Sequence, residues 1–566
     1  MGFRVMQKNA DPNANYRQHP EWKKWLVRGG FAVAISLALF YSAGSQSSSS
    51  LEVQIVEAET GQQTPVRVRV TDSQGNPLTA PAAALAVPGS LVGLPEDALA
   101  VMYGRSDRAE GFARLPEGAF YVPGRFEMAL PPGEYRLEIS KGYEYRKVAS
   151  SITLQEGEVR SETVQLQRWI DMPSRGWYSA DDHIHLRRSP REDPIIAQWL
   201  AAEDIYVGNL LQMGDFWALY YSQYGWGESG RYRQGDRIIS PGQEDPRSPE
   251  IGHTISLAAN RFVRFGGKDY YRYDKVFDGV HEAGGVSGYA HQGMSFHGYR
   301  GMAMDVPEQK IDFLELLQFC VEGGPLHLEH FYHYLDLGFQ LTATAGSDFP
   351  WCGRGPGFGV ESGCTQIGDA RFYTFVDGEF SFEAWFEGLK EGHTFVTSGP
   401  MLEFTVNDSL PGSRVSVSSG SVLKIRARAL GRKGQIPLSK LEVVGHGKVL
   451  KSVSAATDRD REELVIEFDL PANQGLWIAA RCDAGLTQTA HTTPVYISVD
   501  GKGFHNPETA SHYIELTESY LKEIESELDN PSEWPDHRIQ YSSETVRERL
   551  TRVRLRLLEL RTELGI

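Results

Sequence analysis

The tract Asp182-His183-Ile184-His185 sets two imidazoles one residue apart. On a strand, residues i and i+2 leave the same face, so His183 and His185 can reach one cation. Asp182 precedes them and is placed to orient an imidazole by hydrogen bonding. Three other apolar runs end in the same way, with a ligand-type residue: 238–243 before Glu244, 285–290 before His291, and 341–347 before Asp348. His253 follows Glu244 by nine residues, near enough to return to the same place. Imidazole and carboxylate donors together suit one or two divalent ions of zinc, manganese or iron better than a calcium cage. Such an ion lowers the pKa of water from about 15.7 to about 7, giving a nucleophile for an ester carbonyl or phosphorus. The expected metal ligands are therefore His183, His185, Glu244, His253, His291 and Asp348. Asp348 and His253 are also the candidates for moving the proton.

Elements with the right ends must hold these residues. From about Gly176, apolar runs such as IYVGNLLQM alternate with helical stretches such as IIAQWLAAED. That alternation predicts a parallel sheet, and over 176–400 a (β/α) barrel, whose functional residues gather at the C-terminal strand ends. Upstream, LEVQIVEA, VRVRVTD and PPGEYRLEIS alternate with period two between Gly, Pro and Asn turns. This predicts an antiparallel β-sandwich over 51–170. Short alternating strands return in MLEFTVND and VLKIRARAL, giving a second sandwich over 401–500. HYIELTESYLKEIESEL and SETVRERLTRVRLRLLELRTEL predict a helical hairpin over 505–566 that packs on its own chain. The expected fold class is multidomain α/β and β: a barrel flanked by two sandwiches, with a C-terminal helical segment.

In combination these motifs resemble those of the PHP (polymerase and histidinol phosphatase) superfamily, and most nearly its CehA/McbA-type metallohydrolases. The resemblance rests on Asp181-Asp182-His183-Ile184-His185, Gln243-Glu244 with Gly252-His253, Tyr289-Ala290-His291 and Ala345-Gly346-Ser347-Asp348, and covers about 176–410. His393-Thr394-Phe395-Val396-Thr397-Ser398-Gly399-Pro400 is similar to the end of that domain. It implies a distorted barrel with metal at its mouth and hydrolysis of phosphate or carboxylic-type esters. Three departures shrink the implied centre from three metals to one or two. Gln212-Met213-Gly214-Asp215 stands where the family has Thr-Asp-His, Pro350 stands at the last position of Ser-Asp-x-His, and the Asp-Gly tract after H-x-H is missing.

Composition bounds the partners. The 57 basic and 74 acidic residues leave a formal charge of −17, which disfavours nucleic acid, since phosphate binding needs a basic surface. The expected partner is a small-molecule ester, with the oligomeric state open. Lys23, Lys24 and Arg28 precede an apolar run ending at Gly44, and a Ser-rich linker follows at 46–50. Residues 1–50 thus read as a cleaved export signal or a retained membrane anchor, and either places the bulk of the chain outside the cytoplasm. Cys352 and Cys364 are spaced for one loop disulfide, while Cys320 and Cys482 read as buried thiols. No CxxC pair or G-x-S-x-G elbow competes with the His/carboxylate set.

Two further tracts are read plainly. His327, His330 and His333 recur at helical spacing and are expected on a solvated helix face. The tract FWALYYSQYGWG (216–227) is expected either to wall a pocket or to pack over the barrel. The arginines near the motifs, Arg187, Arg188, Arg191, Arg300 and Arg354, form no cluster that fixes a phosphate. The reading is a metal-dependent ester hydrolase, with phosphoesters and carboxyl or carbamate esters both open. The alternative is a non-catalytic envelope binding or scaffold protein with a reduced metal site.

Overall fold

A computed structural model describes residues 49–86, 118–318, 326–350, 365–455, 461–530 and 537–566. The export-signal reading of 1–48, the Cys352–Cys364 pairing, Cys320 and Arg354 lie outside the described residues. The fold is mixed α/β, rich in strands arranged in several sheets. Ser49 and Ser50 already belong to the first strand, Ser49–Glu57, so the serine run is not all linker. Among the described residues no helix is long and apolar enough to cross a membrane.

The first module sets two sheets face to face. Ser49–Glu57 lies between Arg125–Leu130 and Val159–Leu166, while Val66–Asp72 lies between Phe120–Val122 and Gly133–Ser140. Alternate residues of both sheets, among them Leu51, Val53, Val68, Val70, Leu137 and Ile139, form one core. The pairing is not wholly antiparallel, because Ser49–Glu57 runs parallel to Val159–Leu166. The whole module separates those two strands, ample for the long crossover that parallel pairing needs.

The next strands form a ring of mixed direction. Trp177–Ile184, Val207–Gly214 and Arg237–Glu244 are mutually parallel. Gly252–Leu257 then runs antiparallel to both Arg237–Glu244 and Val286–Tyr289. Val286–Tyr289, Phe313–Leu317 and Thr342–Ala345 are again parallel, and Arg371–Phe375 returns antiparallel to Trp177–Ile184. The expectation of a parallel sheet therefore fails at two strands. Between Glu244 and Gly252 the chain is too short for a crossover helix, so it must double back. The ring closes where the His185 N–H donates to the Phe349 carbonyl at 2.7 Å.

Pro400 is not a break in the sheet. Thr394–Thr397 pairs with Gln488–Thr492, which joins the strands Leu476–Ala484, Leu438–Gly445 and Val495–Val499 to the ring. Trp177, Tyr373 and Phe395 share a core with Leu402, Ile425 and Ile478. The expected boundary between barrel and second sandwich is thus one continuous interior. The helices Ala510–Asp529 and Ser543–Leu564 bury Ile514, Leu521, Ile524 and Leu528, with Val546, Leu550, Val553, Leu557 and Leu560, against the ring's own core. Their spacing of three and four residues puts each set on one face.

The expected solvated histidine face is corrected here. His330 and His333, on Glu329–Asp336, are buried. The His333 Nε2 lies 2.9 Å from the Thr517 Oγ1, and its ring stacks on Tyr513. The hairpin covers that face.

Candidate metal centre

A bulge presents the H-x-H tract. Asp181 is opposite Gly208 and Ile184 opposite Leu210, so two extra-strand positions, 182 and 183, stand against one. Such a bulge re-aims side chains. Asp181 anchors it: Oδ1 accepts the N–H groups of His183 and Ser347, each at 3.0 Å, and Oδ2 accepts that of Gly368 at 2.8 Å. A Cβ on Gly346 would stand 2.3 Å from the Asp182 Oδ1 and 2.4 Å from the His183 Cβ. Only glycine lets the chain pass so close before delivering Asp348.

The structure brings all six expected ligand residues together, each buried. The Nε2 atoms of His183 and His185 face each other at 3.1 Å, with the Asp348 Oδ1 at 3.4 and 3.2 Å. Glu244 reaches both halves of the cluster. Its Oε2 lies 3.4 Å from the His185 Nε2, and its Oε1 lies 2.8 Å from the His253 Nδ1 and 3.6 Å from the His291 Nε2. Three overlapping donor sets result: His183, His185 and Glu244; His183, His291 and Asp348; Glu244, His253 and His291.

Tautomers follow from the outer partners. The His183 Nδ1 lies 2.8 Å from the Glu315 Oε1, and the His185 Nδ1 lies 3.3 Å from the Leu211 carbonyl. The Leu211 carbonyl only accepts, so the His185 Nδ1 carries its proton and its Nε2 turns a lone pair inward, as the His183 Nε2 does when Glu315 is ionised. Two lone pairs 3.1 Å apart beside a carboxylate repel unless a cation stands among them. In its absence a proton takes that role. Burial alone would lower His185, but hydrogen bonds to Asp348 and Glu244 hold it up at about 9. Burial favours neutral Asp348 too, yet the surrounding imidazoles hold it down at about 2. Burial, with Arg247 nearby, lowers His253 to about 3, leaving a neutral imidazole. The donor set can hold a metal ion: four imidazoles and two carboxylates converge, with Glu244 common to two of the three donor groups.

Backbone strain gathers around these donors. Tyr221, His291, Gln292, Phe296, His297 and Asp348 all have φ between 52 and 61°. Each such residue costs of order 1–3 kcal/mol, which surrounding structure must offset. Phe296, 46% exposed, stacks on His253 at 4.0 Å, and Tyr221 stacks on His185 at 5.2 Å.

Other expected residues have different roles. Asp182 is fully buried, but neither carboxylate oxygen has a hydrogen-bond partner, so it orients no imidazole. Glu315 does that work: its Oε2 also accepts the His291 N–H at 2.5 Å. Glu315 was missed because FLELLQFC reads as an apolar run, although a lone carboxylate inside a strand buried on both faces is itself a signal. Gln318, which contacts the His291 Nδ1 at 3.0 Å and the Asp348 Oδ2 at 3.3 Å, was hidden in the same run. Asp215 organises its own loop, accepting from the N–H groups of Trp217 and Ala218 at 2.7 and 2.8 Å. The aromatic tract splits: Phe216 stacks on Tyr541, whereas Tyr221 faces the donors. Cys482 is buried and free.

No protein-family model matches the chain, and no curated protein matches it. Among solved structures the chain is similar to the crystal structure of an engineered protein, 10% identical, over 54% of this chain and 52% of that one. The chain thus spans about half the length of that structure, and the TM-score of 0.14 lends no support to a shared fold.

Proposed function

We propose that this chain is a metal-dependent ester hydrolase with a two-cation centre in a distorted PHP-type barrel. The observation that carries the reading is the approach of the His183 and His185 Nε2 atoms to 3.1 Å, joined through Glu244 to a second pair, His253 and His291. One cation would be held by His183, His185 and Asp348, the other by His253 and His291, with Glu244 shared. Cations there would supply Lewis acidity and make water nucleophilic near neutral pH.

The chain's own residues do the rest. Glu315 keeps the proton on the His183 Nδ1 and, through the His291 N–H, fixes the next ligand's backbone. Gln318 spans His291 and Asp348 and sets the direction of the Asp348 carboxylate. Phe296 and Tyr221 cover two of the imidazoles and keep bulk water from the donors. The Asp348 Oδ2, turned from the imidazole pair, is the oxygen placed to take a proton from incoming water.

Metal analysis of the purified chain tests this. Up to two divalent ions per chain are expected, lost in His183→Ala/His185→Ala together with hydrolysis on a panel of phosphate, carboxyl and carbamate esters. A metal-free chain whose unfolding ignores chelator would overturn the proposal and leave a binding or scaffold protein.

A further inference from the structure

We propose that the end of the ring away from the donors carries a second binding site, for an organic carboxylate with an apolar body. Asp312 and Leu341 stand immediately before the strands Phe313–Leu317 and Thr342–Ala345, and Glu391 and Gly392 come before Thr394–Thr397. Glu315 lies further along its strand and Asp348 beyond the end of its own, so the strands themselves separate the two places. Where they begin, these segments line a cavity of about 600 Å³ together with Arg414, Tyr496, Lys502 and the last turns of the helix Ser543–Leu564. Small-molecule sites have volumes of roughly 300–1,000 Å³.

Two glycines bring its walls together. A Cβ on Gly412 would stand 2.1 Å from the Glu391 carbonyl oxygen, and one on Gly392 would stand 3.2 Å from the Gly412 Cα. Both have positive φ, 85 and 73°, which glycine adopts without strain. The Tyr496 hydroxyl donates to the Leu341 carbonyl at 3.1 Å and ties the later strands to the ring. Apolar side chains make the floor: Ile311, Phe339, Leu341, Tyr496, Phe504 and Leu560 line the cavity, and all but Phe504 are buried.

Charge selects the ligand. The three carboxylates of the lining are engaged: Asp312 lies 2.8 Å from the His281 Nε2, Glu391 lies 3.1 Å from the His393 Nε2, and Glu563 lies 2.7 Å from the Arg556 Nη1. Among the cations, Lys390 pairs with Glu387. Arg414 and Lys502 have no carboxylate partner among the described residues. Arg414 donates from Nε, at 2.7 Å, and from Nη2 to the one amide oxygen of Gln340, which holds the guanidinium without cancelling its charge. In a chain of formal charge −17, two such cations beside one apolar floor make an anion the matching ligand. A planar guanidinium suits a planar carboxylate, and the floor suits a hydrocarbon or aromatic body.

Calorimetric titration of benzoate, 4-phenylbutyrate and octanoate into the chelated and the manganese-loaded chain tests this. At least one should bind with a Kd of roughly a millimolar or tighter, equally in both forms. Arg414→Met/Lys502→Met should weaken it roughly tenfold or more with thermal unfolding retained, and Arg414→Lys alone should keep part of the affinity. Hydrogen exchange of the wild type locates the site without a variant: amides of 338–342 and 495–505 should slow on binding. 4-Phenylbutanol keeps the body without the charge, and acetate keeps the charge without the body; equal binding of either overturns the ligand class. Affinity unaltered in the double variant, no slowing of those amides, or no binding by any of the three carboxylates overturns the site. Binding confined to the manganese-loaded chain places the carboxylate on the donors and overturns it too. A chain that takes up no metal refutes the hydrolase reading and leaves these titrations standing.

Discussion

Two of the buried clusters of charge among the described residues differ in who supplies the positive charge. At the seam between the first sandwich and the ring, Glu144 and Asp204 meet Lys141, Arg168 and Arg237. Arg168 Nη1 is 2.6 Å from Glu144 and 3.1 Å from Asp204, and Arg237 Nη2 is 3.1 Å from Asp204. Burial pushes Asp204 up, but the three cations overturn it and hold the carboxyl below its ordinary range. In the donor cluster, Glu244, Asp348 and Glu315 face imidazoles and a single arginine, Arg247, 3.3 Å from Glu244. Burial, chiefly, pushes Glu315 well above its ordinary value, and Asp348 adds to the push. The seam neutralises itself and is architecture. The donor cluster gathers imidazoles and carboxylates at one point, a set that can hold a metal ion.

Removing a shared ligand should give the largest effect. Glu244→Gln is expected to release both cations and lower kcat/KM by on the order of 10³-fold, ~4 kcal/mol of transition-state stabilisation. The fold should survive, because Gln keeps the side chain's shape and its capacity to hydrogen-bond. Metal content beside circular dichroism reads both, and a variant that keeps its metal would erase the contrast between the clusters. The seam should answer oppositely. Asp204→Asn, which keeps the positive φ of 54° that Asn tolerates, strands Arg168, Arg237 and Lys141. Unfolding free energy should fall by about 3–5 kcal/mol, with metal per folded chain unchanged.

The donor set was legible in sequence because every ligand but His253, which begins the strand Gly252–Leu257, ends an apolar run, and the ring turns such ends toward one mouth. Chain direction was not legible, since apolar runs look alike whichever way they pair; the length of the connection after Glu244 decides it. The continuity across Pro400 was hidden because Val396 pairs with His491, far along the chain, and periodicity carries no information about partners. His330 and His333 misled for the same reason: their cover comes from the hairpin around Tyr513 and Tyr520. Glu315 escaped because it is a single charge outside any motif, and its role exists only through the strand opposite it.

A milder change separates orientation from ligation. Glu315→Gln leaves one acceptor oxygen where two are used, for the His183 Nδ1 and the His291 N–H, while keeping the side chain's shape. Metal affinity should fall by roughly 10–100-fold, measured by competition with a chromogenic chelator. An unchanged affinity would make Glu315 a buried carboxyl without influence on the centre. Wild type should also be stabilised by saturating metal, by ~2.7 kcal/mol at a hundred times Kd, whereas the isolated effect of Asp204→Asn should persist at every metal concentration.

The smallest expected effect is on the hairpin, away from both clusters. Burial, with His327 adjacent, lowers His330 to about 4, and burial, with His330 adjacent, lowers His333 to about 3. Both are therefore neutral in the folded chain when the unfolded chain, with an ordinary imidazole value near 6.5, begins to take up protons. Their contribution is fully present above pH 6.5 and is lost progressively as pH falls toward the folded values. Between pH 6.5 and 5.5 the loss is roughly 1 kcal/mol per histidine, and it falls on the contact that holds Ala510–Asp529 against Glu329–Asp336. Hydrogen exchange of the hairpin amides should accelerate over that range while the seam strands stay protected. His333→Gln keeps a donor near the Thr517 Oγ1 without a titrating ring, so it should flatten the pH dependence of the hairpin and leave metal binding alone. Exchange that accelerates equally in both regions would mean that acid acts on the whole chain and not through these two imidazoles.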